Sequence, residues 1–380
     1  MSKPNSQLSI LHIADFGSLY GGNFISSISC LASQLSALGF RFILVLNEKA
    51  KEREWVDSFS TSSYSKVYFI DNKSGLIGKT RQIMKIAEIE NSVLIHTHFT
   101  SFDIAAWMAR VFGKSRYALV WHVHSAFPVS STLRRKMKDF IKFKISGRSA
   151  LSFHVSEATL ELEARRGLII NNAVVVPNAV DFSRFEPVRK EFSSQRDGST
   201  THLSKFLMFG WDPHTKGVDI AVQAFEKLFQ DRQDFKLLLV GEERLQTFVN
   251  DYFHGLLPQW LCLLSPVADV TTLYREAHFF LSASRYEGSS YSVAEALSCG
   301  IPVISSDIRG IQWAKKAPVL ELFTSESSES LDALLRKLLQ NDYLQYRNRC
   351  YANCSFMEEN YSLEEWGKQI SRLYDTLIHS

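Results

Sequence analysis

Cysteine is scarce and sits in no framework: Cys30, Cys262, Cys299, Cys350 and Cys354 are odd in number and scattered. They lack the spacing of a disulfide scaffold or a tetrahedral zinc site, so structural thiols in a reducing compartment are expected. Long apolar runs are absent too. Nowhere do about 18 apolar residues follow one another, which excludes a membrane-spanning helix. Residues Met1 to Gln7 are short and polar, without the apolar stretch of a signal peptide, so a cytoplasmic location is expected. Charge of one sign is not in excess: 43 Lys and Arg against 40 Asp and Glu leave a net +3, which argues against nucleic acid as the main partner. With only 18 Gly and 9 Pro, low-complexity disorder is excluded as well.

What remains is an ordinary globular composition, 45% hydrophobic and 22% charged, in a chain of 380 residues. That length exceeds what one core usually organises, and two domains are expected. Short apolar runs alternate with helical stretches, the mark of parallel α/β architecture. In the first half strands are read at 8–14, 40–46, 66–70, 93–96, 119–122, 151–153 and 173–176, with a helix over 23–38. In the second half they are read at 205–209, 236–240, 260–264, 279–283 and 302–305, with helices over 218–229, 270–276 and 292–299. The polar stretch through Ser193, Ser194, Gln195, Arg196, Asp197, Gly198 and Ser199 reads as a linker. The domains are therefore placed at 1–182 and 203–361, with 183–202 joining them. The tail from Ser362 is amphipathic, with Trp366, Ile370, Leu373, Tyr374 and Leu377 at helical spacing.

The segment Ser284-Arg285-Tyr286-Glu287-Gly288-Ser289-Ser290-Tyr291-Ser292-Val293-Ala294-Glu295 carries the most chemistry. It follows an apolar strand and opens a helix. The amides of a first helical turn and the positive end of the macrodipole together form a ready site for a phosphate. Glu287 lies at the strand's carboxyl end, where open α/β sheets bind ligands, and Glu295 lies one to two turns into the helix. Taken singly, either carboxylate could be a turn residue or a solvated helix position. A pair with seven residues between them, around Gly288, Ser289 and Ser290, is a specific signal.

This pair, with Cys299-Gly300-Ile301-Pro302-Val303-Ile304 after it, closely resembles the glutamate pair of family 4 of the retaining glycosyltransferases. Gly210-Trp211-Asp212-Pro213-His214-Thr215-Lys216-Gly217 has the spacing of that family's loop after the first strand of its second domain. Val176-Pro177-Asn178-Ala179-Val180-Asp181, Gly21-Gly22 and Val120-Trp121-His122-Val123-His124 are similar to further family segments. The resemblance implies the GT-B fold: two Rossmann-like α/β domains facing a cleft, with the last helix crossing back to the first domain. It implies a nucleotide-sugar donor, UDP-linked in the commonest case, and a glycan, glycolipid or lipid-linked acceptor. Glu287 would then touch the donor sugar, Glu295 the ribose, the amides of Ser289 to Ser292 the diphosphate, and Lys216 the leaving phosphate. His124, Gly21 and Gly22 would approach the substrates from the first domain. Same-face attack guided by the leaving phosphate needs no side-chain nucleophile. No Asp-x-Asp motif attends the site, so neither a metal nor a cofactor is expected.

The sequence departs from the family where Trp211 replaces the usual arginine, removing one charge from the leaving-group clamp. Asp307-Ile308-Arg309-Gly310 keeps one of two expected glycines. On the acceptor side, residues 133–144 mix Arg134, Arg135, Lys136, Lys138, Lys142 and Lys144 with Leu133, Met137, Phe140, Ile141 and Phe143. As a helix this reads either as an ordinary surface element or as a basic amphipathic face for anionic lipid at the inner side of a membrane. A nicotinamide-dependent oxidoreductase fits the fold but lacks the G-x-G-x-x-G fingerprint. An epimerase or phosphorylase of the same fold, or a non-catalytic nucleotide-sugar-binding subunit, remain the alternatives.

Overall fold

The computed structural model describes residues 7–60, 65–114, 116–125, 133–146, 150–168, 172–194 and 203–379. The chain divides into two compact units: Met1–Ala179 with Leu363–Ser380, and Val180–Ser362.

The first unit is built on strands β1 (Ser9–Ala14), β2 (Arg41–Asn47), β3 (Ser65–Ile70), β4 (Ser92–His98), β5 (Ala118–Val123), β6 (Leu151–His154) and β7 (Ala173–Val175). They form one parallel sheet in the order β3-β2-β1-β4-β5-β6-β7. Every residue of β1 is buried, as expected of an interior parallel strand covered by helices on both faces. Side chains alternate between those faces. Leu11, Ile13, Ile43, Val45 and Ile95 pack on one side with the helix Asp103–Phe112. Ile10, Leu44, Leu94 and Val120 pack on the other with the helices Gly22–Ala37 and Leu363–His379. The tail helix belongs to this unit because Trp366, Ile370 and Tyr374 are buried in its core, each worth about 1.5–3 kcal/mol of apolar burial.

The second unit holds β8 (Ser204–Phe209), β9 (Phe235–Val240), β10 (Leu261–Leu264), β11 (Phe279–Ser282), β12 (Val303–Ser306) and β13 (Glu321–Phe323). Its parallel sheet runs β10-β9-β8-β11-β12-β13. Counted from its own first strand the order is 3-2-1-4-5-6, the doubly wound arrangement, whose topological switch point lies between β8 and β11.

The strands read from sequence recur within a residue or two. β13 is not among them, since three residues on a sheet edge carry no period of their own. Residues 183–194, read as linker, continue the helix Phe182–Ser194 of the second unit, which buries Phe185 and Val188. Residues 195–202 lie outside the described set. The segment 133–144 is an α-helix over Leu133–Asp139 that passes into a π-helix over Phe140–Ser146. Its apolar residues do not share one side: Phe143 is buried, whereas Met137 and Phe140 are exposed beside Lys136, Lys138 and Lys144. Lys142 faces inward, with Nζ 2.9 Å from Asp103 and 3.4 Å from Glu163. Burial disfavours its charge, but those two carboxylates more than offset that and raise its pKa. The side chains of Leu133, Arg134 and Arg135 lie outside the described residues.

Candidate functional site

At the switch point of the second unit, two connections meet. The turn 210–217 leaves β8, and the segment 283–290 leaves β11, so both lie at the carboxyl edge where the sheet's order reverses. Lys216 and Glu287, read separately from the sequence, form an ion pair: Lys216 Nζ donates to Glu287 Oε1 at 2.5 Å. The same oxygen accepts from Ser284 Oγ at 2.7 Å. Both charged side chains are mostly covered, at 12% exposure each, so the pair is held in a setting where an electrostatic contact counts for more than on the open surface.

The close fit of the two segments explains two glycines. Gly217 has φ +65°, and a Cβ on it would stand 2.0 Å from the carbonyl oxygen of Ala283. A Cβ on Gly310 would meet the carbonyl oxygen of Glu287 at 2.2 Å. Arg285 stitches the same segments together. Its amide donates to Thr215 O at 2.8 Å, and its guanidinium binds both oxygens of Asp219 at 2.8 and 2.7 Å. Arg285 is thus a brace. Trp211, where the family carries an arginine, is 58% exposed, and the Lys216 ammonium lies 5.1 Å from its ring centroid.

Glu295 sits on the helix Tyr291–Ser298 that opens directly after Ser290. The N-cap Ser290 makes no side-chain capping hydrogen bond and turns its Oγ to Ser292 Oγ at 3.1 Å. Ser290 thus does not supply the side-chain cap that an N-cap serine usually gives to a first helical turn, and Gly288, Ser289, Tyr291 and Ser292 lie beside it along the chain. Glu295 is almost fully buried, and burial raises its pKa to about 7, against the opposing pull of the Tyr274 hydroxyl and the Arg184 charge. Tyr274 Oη donates to Glu295 Oε2 at 2.8 Å and also reaches Ser292 O at 3.1 Å. The sequence gives Tyr274 no role of its own; its distance from Glu295 along the chain hides the contact.

In the first unit, Gly21 and Gly22 start the helix Gly22–Ala37 beyond β1. His124 follows β5 directly. Burial lowers its pKa to about 3, opposed by the neighbouring Asn178 side chain. The sequence resemblance singles out His124 alone, which is half-buried, yet His12 on β1, His96 and His98 on β4, His122 on β5 and His154 on β6 are fully buried nearby in sequence or register. His12 stands opposite His96 in register, and His98 opposite His122. The legible signal is the pair of His-x-His spacings, His96-Thr97-His98 and His122-Val123-His124, which alternation places on one face. Among the described residues, His12, His96 and His98, and again His98, His122 and His124, bring potential metal-ligand atoms within 4.8 Å of one another.

These features match a known class. The model described as Glycosyltransferase Family 4 matches residues 27–184, and that described as Glycosyl transferases group 1 matches residues 204–341. The first covers most of the first unit and runs a few residues into the second, the other lies within the second unit, and the chain belongs to the family 4 glycosyltransferases. It is 27% identical over 229 residues to a component of the phosphatidylinositol N-acetylglucosaminyltransferase of Homo sapiens, covering 58% of this chain and 45% of that protein. It is 23% identical over 297 residues to phosphatidyl-myo-inositol mannosyltransferase of Mycobacterium tuberculosis, covering 76% and 74%. Its fold is that of Anabaena Alr3699/HepE, solved in complex with UDP, with a TM-score of 0.76 at 15% identity over 97% of this chain and all of the other. The two-domain α/β architecture is thus the GT-B class, as the resemblance implied.

Proposed function

We propose that this chain transfers a sugar from a nucleotide diphosphate sugar to a lipid-linked or glycan acceptor with retention of anomeric configuration. The observation that carries the reading is the Lys216–Glu287 pair at the switch point, close along the chain to the start of the helix Tyr291–Ser298. The entrance suits a diphosphate, because first-turn amides and the helix dipole favour an anion there. Lys216 is then the cation that meets the charge growing on the leaving phosphate. On donor binding it would exchange part of its contact with Glu287 for the phosphate, freeing Glu287 to accept hydrogen bonds from the sugar's hydroxyls. Glu295, held by Tyr274, is assigned to the ribose, and His124 with the Gly21–Gly22 turn to the substrates from the first unit. Gly210 and Trp211 border the donor loop.

UDP is the first donor to test, in keeping with the UDP in the Anabaena structure. The acceptor is read as a lipid, the class named in the human and mycobacterial relatives. The exposed Met137 and Phe140 beside Lys136, Lys138 and Lys144 would let the chain rest on anionic lipid at the inner membrane face. No described helix is long and apolar enough to cross a membrane. Neither a metal nor a cofactor is needed in this scheme, because Lys216 and the helix entrance supply the positive potential.

A non-catalytic nucleotide-sugar-binding protein is the second reading, favoured by Trp211 in place of an arginine. Donor hydrolysis separates the two. An enzyme releases nucleotide diphosphate slowly from UDP-sugar without acceptor, and Glu287→Ala or Lys216→Ala stops it. Wild-type protein that binds UDP-sugar in a thermal-shift assay but never turns it over would favour the binding role.

A further inference from the structure

Among the histidines of the first unit, His122 is the one whose ring goes unused. It is 1% exposed, and among the described residues no hydrogen-bond partner reaches its Nδ1 or its Nε2. His124 Nδ1 is covered without such a partner as well. A neutral imidazole carries one N–H and one lone pair, and buried polar atoms are rarely left unmatched without a reason such as an ion. Strand geometry gathers these rings. His122 and His124 are two residues apart, which puts them on one face, and His98 stands opposite His122 in register on the neighbouring strand β4. One nitrogen from each of the three lies within 4.8 Å of the other two.

We propose that His98, His122 and His124 form a binding site for one divalent transition-metal ion of the zinc class. His98 Nδ1 and His124 Nε2 are 3.1 Å apart, close to the roughly 3.3 Å between two nitrogens held at about 2.0–2.1 Å on a tetrahedral ion. That contact is a hydrogen bond when one nitrogen carries a proton, and a pair of ligands when neither does. The His98 ring is tilted 37° to His124 and 35° to His122, with centroids 5.3 and 5.4 Å apart, a spread that suits rings around a common centre. His122 and His124 lie closer, at 4.1 Å and 29°, and one of them turns about χ2 to aim both lone pairs at the ion. Three neutral nitrogens suit zinc, copper, nickel or iron(II), whereas magnesium and calcium take oxygen ligands. One of four positions stays open, and with no negative charge among the three ligands it suits an anionic oxygen, from hydroxide or a phosphate.

The other trio, His12, His96 and His98, is the outer shell of this site because its nitrogens are engaged. With His98 Nδ1 on the ion, its proton sits on Nε2 and is donated to His12 Nδ1 at 3.0 Å. His12 Nε2 then donates to the Tyr374 hydroxyl at 3.1 Å, and that hydroxyl donates to His96 Nδ1. A ligand histidine that hands its other N–H to a neighbour is the usual support of a metal site. His96 Nε2 is left as a donor without a partner, a smaller loss than the gain from three metal–nitrogen bonds. Entry is from His124, which is half-buried directly after β5 at the carboxyl edge of the sheet.

The site uses no residue of the Lys216–Glu287 clamp and does not rest on the reading under Proposed function. To test it, the full chain is stripped with a chelator, dialysed and titrated with ZnCl2 in a calorimeter. The wild type is expected to take up one tight equivalent. His122→Phe keeps a stacked ring without a ligand atom, and its affinity should fall by more than the roughly 10–100-fold that loss of an outer partner costs. His12→Phe, which removes only an outer partner, should fall within that range. Equal uptake by wild type and His122→Phe means an adventitious ion on histidines elsewhere and overturns the proposal, as does no uptake by the wild type. Should His122→Phe not fold, nitrogen-15 spectra of histidine-labelled wild type decide the question. One equivalent of Zn2+ must shift ring nitrogens of His98, His122 and His124, and shifts confined to other histidines overturn the site. A chain that binds zinc in this way but hydrolyses no donor refutes the transferase reading and leaves the metal site standing.

Discussion

The two sheets present opposite chemistry at their carboxyl edges. In the second unit the edge is ionic: Lys216, Glu287, Arg285 and Asp219 are paired across two segments that touch backbone to backbone. In the first unit the corresponding edge is neutral and aromatic, a stack of imidazoles with Phe24 and Phe99 against His124. The difference teaches that one doubly wound scaffold can offer either a charge clamp or a set of uncharged hydrogen-bonding groups. Which one arises depends on what the two strands at the switch point carry. A charged leaving group suits the first, and a neutral sugar or acceptor suits the second.

That division breaks most sharply at Lys216. If this ammonium meets the leaving phosphate, Lys216→Ala lowers kcat by roughly 10²–10³, the loss of about 2.7–4 kcal/mol typical of one electrostatic contact to a developing charge. A turnover assay with saturating donor reads this directly, and an unchanged kcat would place the clamp elsewhere. Next comes Gly217→Ala. The left-handed backbone alone costs about 1–3 kcal/mol for a residue with a side chain, and the methyl must also push against Ala283 O, 2.0 Å away. Its melting temperature should fall clearly below that of Gly255→Ala, a left-handed glycine with open space around it.

Glu295 sharpens the contrast through pH. Its carboxyl titrates at about 7 in the folded unit against an ordinary 4.5, so between those values the folded state holds a proton that the unfolded chain has lost. Stability attached to that proton is complete below the ordinary value and is lost as pH rises through about 7. The slope is at most about 1.4 kcal/mol per pH unit. Thermal melts from acid to neutral pH should show this decline in the wild type and a flatter profile in Glu295→Gln. The smallest effect belongs to Trp211. Trp211→Ala loses a cation–π contact worth about 0.5–1 kcal/mol at an exposed site, so donor KM should move only a few-fold. A loss as large as that of Lys216→Ala would mean the indole itself contacts the donor.

Local pattern made much of this protein legible. The apolar runs that became β1 to β12 follow from burial on both faces of a parallel sheet, Glu287 and Glu295 stand out by spacing beside small residues, and Lys216 is singled out by the family resemblance of its loop. The helix Phe182–Ser194 was hidden because its polar composition resembles a linker, and only the burial of Phe185 and Val188 gives it a place. Lys142 was hidden likewise: a lysine in a basic run reads as solvated until Asp103 and Glu163 surround it.

By itself, the amino-acid order determined the alternation of strand and helix, the two-unit α/β class, and which residue types stand at each strand's end, because these depend on periodicities a few residues long. The tertiary structure alone decided which of those residues meet. Lys216 and Glu287 are joined because β8 and β11 are neighbours at the switch point. His12, His98, His124 and Tyr374 are joined because three adjacent strands and a distant tail helix share one face. Contacts of that kind depend on strand order and register, which arise only when the whole core is packed.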